Sequence, residues 1–371
     1  MRRRDLLLAR RGGALVFMAG IASVCIAACG SDDTIVSANP GNSTTGDASS
    51  SALDDGSLAK SDASSSNGDA ARSPDGAVID CGTRTGMRGL TNRNVMVGGV
   101  KRTYLTYLPT SADPKKPLPF VFVFHGYTMS GQQMHDITQY AALADSEGIA
   151  VVFPDGLGGA DSLAAPWNVD DTGETVCGNV QTESSSGDDF GFMDAMTADV
   201  ENDQCLDSAH RFATGFSMGG YFSHHLACHR SDIRAVAPHS GGTVGDLSTC
   251  TTGHVPTIIF HGVADPLIPD GCDDPNGVAQ PSYAASAKLW AAKNGCGSTY
   301  TTVTTNGSSG DGQCYVYDSC PADGQVELCT FTAMGHCWAG GSKSGQGATF
   351  ACPTYADATA LEWAFFKKYA W

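Results

Sequence analysis

The 371-residue chain is predicted to carry an α/β fold: a doubly wound, mostly parallel sheet with antiparallel strands on its N-terminal side, rich in disulfides. Three observations predict this. Short apolar runs dense in Val, Ile and Phe alternate with stretches whose apolar residues recur at helical spacing, as when crossover helices join buried parallel strands. Polar residues and glycines gather just past the ends of those runs, where open α/β sheets hold ligands. Fourteen cysteines are present. Cys25 and Cys29 fall in the leader, and an even set remains, which in an exported chain implies disulfides. No paired C-x-x-C spacing occurs, so a zinc site is not expected.

Residues 1–29 read as a leader. Arg2, Arg3, Arg4, Arg10 and Arg11 precede an apolar run from Gly13 to Ala28, the pattern of a secretory signal. Ile26-Ala-Ala-Cys29 resembles a bacterial lipobox, which makes Cys29 the expected lipid anchor. Arg3-Arg4-Asp5-Leu6-Leu7 loosely resembles a twin-arginine signal, so the export route stays open. Residues 30–80 are Ser, Asp, Gly and Ala-rich, without an aromatic residue, and their aspartates far outnumber Lys60 and Arg72. Such a segment buries too little apolar surface to offset its chain entropy and reads as a disordered tether. Residues 81–371 form the expected catalytic domain. The net charge of −17 argues against nucleic acid as a partner. Contact with a membrane is expected only through the lipid, and the chain is expected to be monomeric.

Within the domain, Asn94–Val97 and Arg102–Leu108 should pair as antiparallel strands. Leu118–Phe124 is a strand buried on both faces, ending in His125-Gly126-Tyr127. Met134–Glu147 has helical spacing, and Gly148–Phe153 is the next buried strand. A loop over residues 157–187 precedes a helix over Asp189–Cys205. Strand, turn and helix follow around Ser217. Ala235–Ala237 and Pro256–His261 are strands, Ser282–Asn294 a helix and Val326–Phe331 the last strand. An amphipathic helix over Ala356–Tyr369 closes the chain.

The turn carries the chemistry. Gly215-Phe216-Ser217-Met218-Gly219 is a G-x-S-x-G motif between a strand and a helix, the context of a nucleophile elbow. Glycines flank the serine where a side chain would clash, and the helix N-terminus favours negative charge. A serine nucleophile needs a base and an acid to orient it. In chain order, Asp265 follows the strand ending at His261, and His336 follows the strand ending at Phe331. Their roles follow from proton accounting: His336 moves the Ser217 proton, and Asp265 orients and stabilises the imidazolium. The backbone N–H groups of Met218 and Tyr127 are the expected oxyanion donors. His261 breaks the chain order of the triad. His125 and His225 read as structural, and Asp270 is a weaker candidate acid than Asp265.

Phe122-Val-Phe-His-Gly126, Pro166-Trp-Asn168, Asp188-Asp-Phe-Gly-Phe192, the stretch Arg211–Gly220, Phe260-His-Gly-Val-Ala-Asp265 and Gly335-His-Cys-Trp338 together resemble the secreted polyhydroxybutyrate-depolymerase-type esterases. These are related to the feruloyl and acetyl-xylan esterases of carbohydrate esterase family 1. The resemblance implies an α/β-hydrolase fold and a cofactor-free serine esterase with Ser217, Asp265 and His336 as triad. It also implies disulfide pairs of Cys205 with Cys228 and of Cys296 with Cys320. Trp167 and Trp338 lie in loops at strand ends and are expected beside the substrate. The cysteine-rich stretch 314–352, with Cys337 directly after His336, departs from the family pattern.

The expected function is therefore an extracytoplasmic serine esterase acting on feruloyl or acetyl esters of plant polysaccharide. A polyhydroxybutyrate depolymerase is the alternative, ranked second because no separate polymer-binding segment is apparent. A serine peptidase and an inactive surface-binding module rank below both. The leader generates a direct check. Cys29→Ala should move the protein from the membrane fraction to the soluble one with ester turnover unchanged. Mass spectrometry of the mature N-terminus reads the outcome, and an unmodified N-terminus beyond Cys29 refutes the anchor.

Overall fold

One strand shows why the sheet forms. Every residue of Leu118–Phe124 is buried, and its side chains alternate between two cores. Phe120, Phe122 and Phe124 enter one, Val121 and Val123 the other. Period-two alternation with both faces apolar requires cover on both sides. A computed structural model describes residues 80–82, 84, 86–159, 165–169, 175–176, 180–181, 185–243, 247–269, 283–305, 311–343 and 348–370, all within one compact unit, Ser65–Trp371. The expected leader with Cys29, almost all of the linker, Cys177, Asp270 and Cys272 lie outside the described residues.

In chain order the elements are β1 (Gly89–Val97), β2 (Val100–Leu108), β3 (Leu118–Phe124), α1 (Gly131–Thr138), α2 (Tyr140–Glu147), β4 (Ala150–Pro154), β5 (Thr175–Val176), β6 (Val180–Gln181), α3 (Asp189–Glu201), β7 (Leu206–Phe216), α4 (Met218–His229), β8 (Ala235–His239), β9 (Thr257–Gly262), α5 (Tyr283–Lys293), β10 (Tyr300–Thr304), β11 (Gly312–Tyr317), β12 (Val326–Phe331), β13 (Trp338–Ala339), β14 (Ala351–Cys352) and α6 (Ala358–Phe366). Ten strands form one sheet in the order β1-β2-β4-β3-β7-β8-β9-β12-β11-β10. The central strands from β4 to β12 are parallel to their neighbours. The pairs at both edges are antiparallel. The chain runs from β3 to β4 on one side, then returns to β7 on the other. The switch point therefore falls between β3 and β7, where a doubly wound sheet opens a crevice.

Helices α3, α4 and α5 contribute to the core that receives Phe122 and Phe124, and α1, α2 and α6 to the opposite one. The helix expected over Met134–Glu147 is two helices, because Gln139 adopts φ 61° and breaks it. The antiparallel N-terminal strands are present. The C-terminal side holds a second antiparallel pair, β10 and β11, beyond the strands expected from the sequence. The strand Val326–Phe331 is followed by the short β13 and β14, so it is not the last.

Five disulfides join described residues: Cys81–Cys205, Cys228–Cys250, Cys296–Cys320, Cys314–Cys329 and Cys337–Cys352. They suit a chain that matures in oxidising surroundings outside the cytoplasm. The Cys296–Cys320 bridge is present. The expected Cys205–Cys228 bridge is not. Thr251 N donates to Cys228 O at 2.9 Å, which folds the segment after β8 onto the end of α4 and sets Cys250 beside Cys228, Cα to Cα 4.4 Å. Cys205, ahead of β7, meets Cys81 instead, Cα to Cα 5.2 Å.

Peptide mapping without reduction should therefore recover Cys81 linked to Cys205 and Cys228 linked to Cys250, and no Cys205–Cys228 peptide. Because Cys81–Cys205 spans 124 residues, the Cys81→Ser/Cys205→Ser double variant should lose about 2–5 kcal/mol of stability in urea unfolding.

Candidate active site

The end of β7 and the start of α4 meet in an unusually close turn. Ser217 sits at φ 55°, ψ −117°, a region that L-residues adopt at a cost of about 1–3 kcal/mol. Its neighbours hold it there. Ser217 N donates to His239 O at 2.9 Å, and Gly220 N and Tyr221 N donate to Ser217 O at 2.8 and 3.1 Å. A Cβ at Gly215 would stand 2.3 Å from the Gly219 carbonyl oxygen, and one at Gly219 would stand 2.3 Å from that of Phe124. Only glycine fits at either position. Ser217 is the N-cap residue of α4, yet its side chain makes no capping hydrogen bond. Its hydroxyl is half-buried and not committed to the helix.

Asp265 and His336 come from the ends of β9 and β12, which lie side by side. His336 Nδ1 lies 2.7 Å from Asp265 Oδ2. The other carboxylate oxygen accepts from Leu267 N at 2.8 Å and Ile268 N at 2.9 Å. Burial acts to raise the Asp265 pKa, but the His336 hydrogen bond and charge, the Ile268 N–H and His261 outweigh it, and the group is held below its ordinary value. A lowered carboxyl pKa keeps the group ionised and its acceptor turned to Nδ1, which leaves Nε2 of His336 as the free face of the ring. That ring packs on Phe216, centroids 4.7 Å apart, directly before Ser217.

The turn after β3 forms the facing wall. A Cβ at Gly126 would lie 3.2 Å from the Cβ of Ser217, so the Gly126–Tyr127 backbone borders the serine. His125 is fully buried. Its Nε2 accepts from Gly156 N at 2.8 Å, and its Nδ1 lies 2.7 Å from Gly126 O. Burial lowers its pKa, so a neutral ring with the proton on Nδ1 satisfies both contacts. It fastens the turn, as its reading as structural requires. At the head of α4, Gly220 and Tyr221 use the Ser217 carbonyl. Met218 and Gly219 are the remaining N–H groups that a helix start cannot satisfy internally.

Two expectations fail. Trp167 and Trp338 are 0% and 1% exposed and present no surface to a substrate. Trp167 donates from Nε1 to His125 O at 2.9 Å and stacks on Phe222. Trp338 stacks on His239 at 3.8 Å and donates to Thr359 Oγ1 at 3.1 Å. In each case a core acceptor takes the indole N–H, so the ring is drawn inward. Among the other histidines, His224 accepts from Trp290 Nε1 at 2.9 Å, and burial lowers its pKa to about 3. His225 packs against Phe190 and His229. His261 Nε2 lies 2.8 Å from Ile268 O and 3.6 Å from Asp265 Oδ2, behind the acid. The sequence reading missed Phe350, which is half-buried. Its ring lies 6.2 Å edge-on from His336 and 5.6 Å from Phe216. The Cys337–Cys352 bridge brings it there, and a cysteine next to His336 was the signal for it.

Residues 97–296 match the model of a family described as "Putative esterase". Feruloyl esterase C of Emericella nidulans is 30% identical over 243 residues, covering 59% of this chain and 79% of that protein. Feruloyl esterase D of Neurospora crassa is 27% identical over 229 residues, covering 54% and 71%. Among solved structures, an acetyl xylan esterase from Aspergillus awamori aligns with a TM-score of 0.50 at 14% identity, covering 75% of this chain and 99% of that one. The last likeness is one of fold.

A second imidazole–carboxyl pair lies behind the elbow. His239, whose carbonyl accepts from Ser217 N, has Nε2 2.6 Å from Glu362 Oε1, and both side chains are fully buried. Tyr140 Oη donates to Glu362 Oε2 at 2.6 Å. Burial holds the Glu362 carboxyl well above its ordinary range despite Tyr140 and Thr214, and burial with nearby His261 holds His239 well below its own. The pair is therefore neutral. A carboxyl whose folded pKa is raised contributes fully below its unfolded pKa, about 4.3. That contribution is lost as pH rises from there towards the folded value. Glu362→Gln keeps the shape and removes the titration. The variant should gain stability relative to the parent on going from pH 5 to pH 8. Urea midpoints at both pH values check this, and a difference that does not change with pH means that Glu362 is ionised in the fold.

Proposed function

The chain belongs to that esterase family and is a carboxylic ester hydrolase, and we propose that it works through an acyl-enzyme on Ser217. The observation that carries this is the buried Asp265 carboxylate, saturated by two backbone N–H groups and bonded to His336 beside a strained serine elbow. In the proposed cycle His336 Nε2 takes the Ser217 proton as Oγ attacks the ester carbonyl. The N–H groups of Met218 and Tyr127 receive the oxyanion. His336 then delivers the proton to the leaving alcohol, and its next turn activates water against the acyl-enzyme. Asp265 holds Nδ1–H and offsets the imidazolium charge throughout.

The names of the similar proteins support feruloyl esters as substrates, and feruloyl or acetyl esters of plant polysaccharide are the proposed class. Half-buried Tyr127 and Phe350, in place of the two tryptophans, are the aromatic residues proposed to flank a planar acyl group. The chain is further proposed to act outside the cytoplasm, held by a lipid on Cys29.

Ser217→Ala and His336→Ala should each lower ester turnover by about four to six powers of ten with the fold intact by circular dichroism, as members of one catalytic unit do. Activity within tenfold of the parent would sink the assignment. Initial rates on methyl ferulate, acetylated xylan, hydroxybutyrate oligomers and a polyhydroxybutyrate film test the substrate. Clearing of the film without release from the cell-wall esters overturns the polysaccharide reading.

A further inference from the structure

A cleft of about 290 Å³ lies between α5 and the last strands of the sheet. Its floor follows from register. Tyr300 pairs with Tyr317, and Tyr315 pairs with Leu328, so alternation puts Tyr300, Tyr315, Tyr317, Leu328 and Thr330 on one face. Tyr283 and Lys288 of α5 form the far wall. The tyrosine rings stand across one another, Tyr300 and Tyr315 at 5.1 Å and 70°, Tyr300 and Tyr317 at 5.7 Å and 64°. Tyr300 is 49% exposed. Tyr317 and Tyr283 are buried beneath it, so Tyr300 is the open edge of the cluster.

Its position ties it to the ester site. Val263, on its rim, is two residues before Asp265. Tyr283 stacks at 4.5 Å on His261, whose Nε2 lies 3.6 Å from the Asp265 carboxylate. We propose that this cleft binds one or two sugar rings of an acidic, uronate-bearing xylan chain whose esterified residue lies at Ser217. The proposal rests on the polysaccharide reading above. The half-exposed face of Tyr300, with partly buried Tyr315 beside it, suits the C–H face of a pyranose ring, and phenol hydroxyls and Thr330 suit its hydroxyl groups. The volume lies just below the range of pockets that enclose a whole small ligand, about 300–1,000 Å³, as fits part of a chain that continues beyond it. Lys288 is the charged residue of the lining on a protein of net charge −17. A local cation on an acidic surface selects for a carboxylate.

Affinity electrophoresis of the full chain in gels containing glucuronoxylan, neutral debranched xylan or starch tests this. The parent should be retarded by both xylans, more by the acidic one, and not by starch. Tyr300→Ala and Tyr315→Ala should each weaken retardation at least fivefold, while Lys288→Gln should lose only the preference for the acidic polymer. All three should hydrolyse methyl ferulate at the parental rate and show a higher KM on feruloylated polymer. Unchanged retardation in both tyrosine variants, or equal retardation of the parent by starch, overturns the proposal. So does a Tyr300→Ala protein that only changes from dimer to monomer in sedimentation. Inactivity on every cell-wall ester would instead refute the substrate reading, and the gels report on the cleft independently of turnover.

Discussion

Backbone crowding where β3, β7 and α4 converge is the constraint the rest of the molecule accommodates. The carbonyls of Phe124 and Gly219 occupy the places where side chains at 219 and 215 would begin. That closeness brings the elbow against the Gly126–Tyr127 turn and forces Ser217 into a left-handed conformation. Strain of this size persists only if surrounding packing over-determines it. The flanking strands supply that packing. Each phenylalanine of β3 is fully buried and contributes about 1.5–3 kcal/mol by leaving water. Helices on both faces press the strands together, and the sheet switches direction at that junction.

Two imidazole–carboxyl pairs flank the elbow, and the pKa values of their carboxyl groups are moved in opposite directions. Asp265 has two backbone donors in addition to its histidine, and hydrogen bonds to the charged form favour it. Glu362 has a phenol and a threonine hydroxyl for company and no exposure. Desolvation then prevails, and the pair stays neutral. One pair is suited to carry charge through a reaction. The other anchors β8, whose final carbonyl holds the Ser217 amide, to α6.

The parallel core and the elbow were legible because their signals are local. Leu118–Phe124 is apolar throughout, and glycine at 215 and 219 reports a steric limit directly. Asp265 and His336 stand at the ends of separate strands, and the fold brings their side chains together. Long-range pairings were not legible. Cys205 and Cys228 flank one strand and helix, yet their partners come from the N-terminal segment and the segment after β8. Tyr300–Thr304 is a strand exposed along its whole length, so it carries no apolar alternation to find. Trp167 and Trp338 read as accessible because they lie in loops, and nothing in the sequence reveals that a buried carbonyl and a threonine hydroxyl receive their N–H groups.

The bridge beside His336 fastens that residue's neighbour to the segment that carries Phe350. Cys337 follows the histidine directly and closes a 15-residue span to Cys352. The return of that segment is also held by the two-residue pairing of β13 with β14, by Gly340 N donating to Cys352 O at 2.7 Å and by Phe350 packing on Phe216. The address of the imidazole is thus completed by the removal of two electrons from a pair of thiols.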